Sequence, residues 1–155
     1  KNEMIDEQML NKILEAGTYA PSGMNLQSPI IVAITNKKLR DKLSRINAKI
    51  MGKDIDPFYG APVVVVVLAD KNCSTYIYDG SAVMENMMLA AKSLGIGSCW
   101  IHRAKETFET EEGREILNSL GISENYEGIG NCILGYPDEV VGNKKIKDKY
   151  IYRIA

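Results

Sequence analysis

Apolar side chains recur with a helical period at Met9, Leu10, Ile13, Leu14 and Ala16, which predicts a first helix. Asp6 stands ahead of it as a cap, Ile5 and Leu10 have staple spacing, and Gly17 is the expected stop. The next stretch, A-P-S-G-M-N-L-Q-S-P over 20–29, concentrates turn and amide residues and reads as a loop of unusual polarity. Pro29 to Thr35 is β-branched and apolar on both faces, the pattern of a strand covered by helices on each side. Leu39, Leu43, Ile46 and Ile50 mark a second helix, and Val63 to Leu68 a second buried strand. Asp79 to Leu94 reads as a central helix, apolar nearly all round, capped by Asp79 and ended by Gly95.

Gly97 to Ile101 is a short strand, followed by a charged helical stretch ending near Leu120-Gly121. Glu127 to Tyr136 is a further strand broken by glycines and closed by Pro137. Tyr150 to Ile154 alternates and reads as an edge or exchanged strand. Helices and strands interleave, so the expected class is α+β, or α/β-like, with one mixed central sheet flanked by helices.

The 155 residues, 45% hydrophobic and 25% charged, suit a single domain over 1–155 with a sizeable core. Lys plus Arg number 19 against 20 Asp plus Glu, so nothing in the charge points to nucleic acid or a membrane surface. The apolar run 61–69 is too short to span a bilayer. Cys73, Cys99 and Cys132 form no C-x-x-C pair and read as free thiols in a reducing, cytoplasmic setting. The chain begins at Lys1, already close to the first helix, and a segment upstream is expected.

Phosphate-loop, zinc-protease and nucleophile-elbow motifs are absent, and His102 is the sole histidine. No side chain is therefore assigned as a catalytic nucleophile. Cys99 has no evident base beside it and is assigned to core packing. Three segments remain, 21–27, 94–100 and 134–137, rich in backbone donors, glycine and neutral amides. Asn25 and Gln27 offer donors and acceptors suited to a flat heterocycle, and Gly95 and Gly97 allow close backbone approach. Singly, each segment also reads as a turn, a helix cap or a strand-end bend.

In this order and spacing, E-A-G-T-Y-A-P-S-G-M-N-L-Q-S-P, A-P-V-V-V-V-V, the 79–101 segment containing G-I-G-S-C-W-I, and I-L-G-Y-P-D-E resemble the short form of the FMN-dependent nitroreductase family. The likeness runs from about Ile5 to Pro137. It implies a homodimer with two flavin sites across the subunit interface. Pro21, Ser22, Asn25 and Gln27 would approach the ring edge and ribityl chain from one subunit. Trp100, Ile101, His102 and Arg103 would pass along the ring from the other, offering backbone N–H groups near N5 and O4, with the backbone of His102 favoured over its ring.

The family normally opens with a basic R-x-S-x-R-type phosphate grip, and this chain starts beyond that point. Its usual proline-rich C-terminal stretch is replaced by Gly142 to Asp148, where Lys144 or Lys145, and less so Lys147, would take the phosphate. The same lysines also read as a solvated tail. The resemblance implies an oxidoreductase that takes hydride from NADH or NADPH and passes electrons to nitroaromatics, quinones or similar acceptors in ping-pong fashion. The alternative is a non-catalytic flavin- or ligand-binding protein of the same fold.

Overall fold

The computed structural model describes residues 1, 3–139, 142, 145 and 151–154. Helix α1 (Glu7–Thr18) begins at Asp6, whose carboxylate accepts from the Gln8 and Met9 N–H groups at 2.9 and 3.1 Å. Ile5 and Leu10 are both buried in one apolar cluster, as a staple requires. Gly17 does not stop the helix but lies within it. A Cβ there would sit 2.8 Å from Ile31 Cδ1 and 2.9 Å from Met87 Cγ, so the glycine serves close packing.

Strand β1 (Ile30–Ile34) leads to α2 (Lys37–Met51), capped by Asn36, and then to β2 (Val63–Asp70). Helix α3 (Tyr76–Ser93), β3 (Gly97–Ile101), α4 (Ala104–Glu109), α5 (Glu111–Ser119) and β4 (Tyr126–Gly135) follow. The charged stretch after β3 is thus two helices. Thr110 divides them and caps the second by accepting from the Gly113 N–H at 3.0 Å.

Among the described residues the sheet has the order β1-β2-β4-β3 and every pairing is antiparallel, which corrects the expected mixed sheet. Interleaved helices suggested parallel strands, but after α2 the segment 52–62 carries the chain back to the sheet end from which that helix departed. Alternation along β2 divides the interior. Val63, Val65 and Val67 pack with Ile13 of α1 and Met84 and Met87 of α3. Val64, Val66 and Leu68 pack with Leu43, Phe108 and Leu117 on the opposite face. Strand β2 is buried on both faces, as its pattern predicted, whereas β1 is a sheet edge whose Ala33 is exposed.

Glycines do not break β4. They border a bulge at Ile129, since Val67 opposes Gly130 and Leu68 opposes Gly128. Cys73, Cys99 and Cys132 are free. Cys132 is the core thiol, and burial, with Cys99 adding to it, pushes its pKa up to about 12. Cys99 is exposed, contrary to the packing role read for it, because β3 is the other sheet edge. Residues 151–154 are exposed and without regular structure, so the expected terminal strand is not found among them; Tyr150, Lys144 and Lys147 lie outside the described residues.

Candidate functional site

The 21–27 loop is held in a conformation that ordinary side chains disfavour. Met24, Asn25 and Gln27 have φ of 50°, 54° and 51°, in the left-handed region. Such residues persist only where their surroundings over-determine them, and they gather at functional segments. Three hydrogen bonds that involve side chains add to the loop's own backbone bonds from Asn25 N–H to the Ser22 carbonyl and from Leu26 N–H to the Gly23 carbonyl. The Gly23 N–H donates to Asp79 Oδ1 at 2.9 Å, the Gln27 N–H to Ser22 Oγ at 2.9 Å, and Gln27 Nε2 to Asn25 Oδ1 at 3.0 Å.

Asp79 is therefore not the cap of α3. That helix starts a turn earlier, and Asp79 is 4% exposed, with its second oxygen accepting from Thr75 Oγ1 at 2.8 Å. Gly23 fits beneath this pair only because it lacks a Cβ, which would stand 2.2 Å from Thr75 Oγ1. Pro21, Asn25 and Gln27 are exposed and Ser22 is half-buried. Pro21, Ser22 and Gln27 line a groove of about 460 Å³ running between α1 and β1. Pairing the two amides with each other uses one donor of Gln27 and the oxygen of Asn25. Asn25 Nδ2 and Gln27 Oε1 thus remain as a donor and an acceptor at the surface.

The second segment is the end of β3. Trp100 is half-buried and lies against Gly130, where a Cβ would come 2.6 Å from its indole nitrogen. The Ile101 side chain is buried in the core facing α2 and α4, so only its backbone is available to a ligand. His102 is exposed, while its carbonyl is drawn inward to accept from Asn47 Nδ2 at 2.9 Å and Asn131 Nδ2 at 3.4 Å. Arg103 has φ 72° and turns its guanidinium back onto α2, donating through Nε to Asn47 Oδ1 at 2.9 Å. Among the described residues, four of the five left-handed non-glycine positions therefore fall in these two segments.

The structure does not bring the segments together within one chain. Both lie toward the Leu68 end of β2, but the loop feeds β1 while Trp100–Arg103 closes β3, and those strands are the opposite sheet edges. Three strand spacings, about 14 Å, separate the two edges. Gly95 and Gly97 sit at the far end of β3: Gly95 exits α3 with φ 74°, and Gly97 pairs with Gly135. A larger cleft of about 1150 Å³ opens at that far end, beside Arg40, Tyr59, Cys99 and Tyr136, and none of the nine candidate site residues among the described residues lines it. Lys145 is exposed and is itself in neither helix nor strand.

Sequence reasoning missed the residues behind the two segments. Asn47 was visible as a polar residue one turn after Leu43 on the apolar stripe of α2. Asn131 interrupts the apolar stretch 129–134 of its strand. Nothing in the pattern tied Asp79 and Thr75 to a loop so distant in the chain.

The sequence profile described as the nitroreductase family matches residues 1–58 and 55–136. A protein of Archaeoglobus fulgidus, provisionally named NADH dehydrogenase/NAD(P)H nitroreductase, is 33% identical over 89% of this chain and 78% of its own length. An NADPH-flavin oxidoreductase of Vibrio harveyi is 26% identical over 94% of this chain and 62% of its own. A Bacteroides fragilis nitroreductase solved with bound FMN superposes with TM-score 0.90 at 33% identity, over 100% of this chain and 91% of that one.

Proposed function

The chain belongs to the nitroreductase family, and on that premise we propose that it is an FMN-dependent NAD(P)H oxidoreductase working as a homodimer. The observation that carries this reading is the clustering of left-handed backbone in the two segments the resemblance assigns to flavin. Their chemistry fits the group. Asn25 Nδ2 and Gln27 Oε1 offer a donor and an acceptor to the polar edge of a flat ring, with Ser22 beside the ribityl chain. Pro21 shapes the same groove, and the Trp100–Arg103 backbone offers N–H groups from the other sheet edge.

Because those edges are about 14 Å apart within one chain, a second copy supplies the missing half of each site. Tyr78 and Leu89 of α3, 76% and 60% exposed, suit that contact. They lie about three turns apart on one helix face. Lys144 or Lys145 takes the phosphate.

When bound, FMN supplies the redox relay, accepting hydride from NADH or NADPH and passing two electrons to a flat, electron-poor acceptor such as a quinone or nitroaromatic. The protein binds, orients and excludes water, and uses no side-chain nucleophile. Donor and acceptor occupy the same space in turn. Initial rates with NADH and a quinone, for protein loaded with FMN, should give parallel double-reciprocal lines and many turnovers per site. Consumption of no more than one equivalent of NAD(P)H per site contradicts the proposal and makes the protein a flavin binder.

A further inference from the structure

Two carboxamides lie in the interior behind the Trp100–Arg103 segment, Asn47 at 0% and Asn131 at 1% exposure. Burying such groups is costly unless their hydrogen bonds are made. Both aim Nδ2 at one acceptor, the His102 carbonyl, at 2.9 and 3.4 Å. Asn131 shares its donor with the Ile101 carbonyl at 3.3 Å, so Asn47 makes the tighter contact. The Oδ1 of Asn47 accepts from Arg103 Nε at 2.9 Å, so one amide grips both residues of the His102–Arg103 peptide.

A trans, planar peptide holds its C=O and its N–H in opposite directions. With the His102 carbonyl drawn toward the core, the Arg103 N–H points away from it. Among the described residues no acceptor takes that N–H. Arg103 itself stands at φ 72°, a conformation that a non-glycine residue holds only under such constraint.

We propose that Asn47 is a positioning residue that locks the His102–Arg103 peptide with its N–H outward, as a fixed donor to the flavin ring edge, and so sets the flavin's reduction potential. This rests on the FMN reading above. A donor held in place favours the electron-rich reduced ring over the oxidised one, without reorganising on reduction. The arrangement gives each function of the amide its own probe. Asn47→Asp keeps an acceptor for Arg103 and removes the donor to His102, whereas Asn47→Leu removes both.

The test is the two-electron potential of bound FMN, measured anaerobically against a reference dye in the full chain and in both variants. Each variant is expected to bind oxidised FMN and to favour the reduced form at least tenfold less, a potential about 30 mV lower for a two-electron couple. Variants that hold FMN at the unaltered potential overturn the assignment of Asn47 while leaving the flavin reading intact. A wild-type chain that takes up no FMN overturns both. Should the variants fail to fold, the backbone amide resonance of Arg103 in the wild-type protein decides. It is expected to shift when FMN binds and again on reduction, and a resonance unmoved by either overturns the proposal.

Discussion

Asp79 anchors the 21–27 loop from the first turn of α3, with one carboxylate oxygen on the Gly23 N–H and the other on the Thr75 hydroxyl. Asp79→Ala leaves both donors without that acceptor, at a cost of about 1–3 kcal/mol. Urea unfolding should show that loss, and FMN affinity should fall with it because the loop loses its tether; equal midpoints and affinities would mean the loop is held by other contacts. Asp56 makes a different kind of anchor. Burial alone would raise its pKa, but Arg40, Ser44 and the Gly60 and Phe58 N–H groups outweigh burial and bring it down to about 2. A depressed carboxylate stabilises the fold above its unfolded value and loses that contribution as pH falls. The stability advantage of wild type over Asp56→Asn should therefore shrink as pH drops from 3.8 toward about 2, and a gap that does not change over that range would contradict the network. At this scale the sequence showed which residues carry suitable chemistry but not what holds them. Asn25 and Gln27 were recognisable from residue type, while Asp79, Asn47 and Asn131 act across 56, 55 and 29 positions of chain.

Elements were more readable than their connections. Periodicity located α1, α2 and α3 to within a few residues, and the apolar run of β2 declared its burial on both faces. The same reading made β1 a covered strand, because an apolar edge strand and a strand buried on both faces share one pattern. Strand direction was also hidden, since it depends on where segment 52–62 returns the chain. The glycines of β4 read as breaks, yet they admit close neighbours. A Cβ on Gly128 would lie 2.5 Å from the Ala104 carbonyl carbon, a backbone atom that cannot swing aside. Gly128→Ala should cost about 1–3 kcal/mol and lower the melting temperature by roughly 2–12 °C. A variant that melts with the wild type would show that β4 and α4 separate freely.

On the scale of the whole molecule, one sheet with α1 and α3 on one face and α2, α4 and α5 on the other places two strained segments at opposite edges. On the proposed reading one chain presents two half-sites, and pairing of two copies would give each a complement. The order and spacing of the sequence blocks carried the family assignment, which the family profile and the superposition on an FMN-bound nitroreductase bear out. The phosphate end was less readable. Lys145 is exposed and Lys144 lies outside the described residues. The most direct measurement is the visible absorption spectrum of the protein with FMN, taken anaerobically before and after NADH or NADPH. A bound flavin is expected to co-elute with a dimer, bleach on addition of the nicotinamide and regain its yellow band when a quinone is added. A colourless protein that takes up no FMN, or one whose flavin neither nicotinamide bleaches, would contradict that expectation.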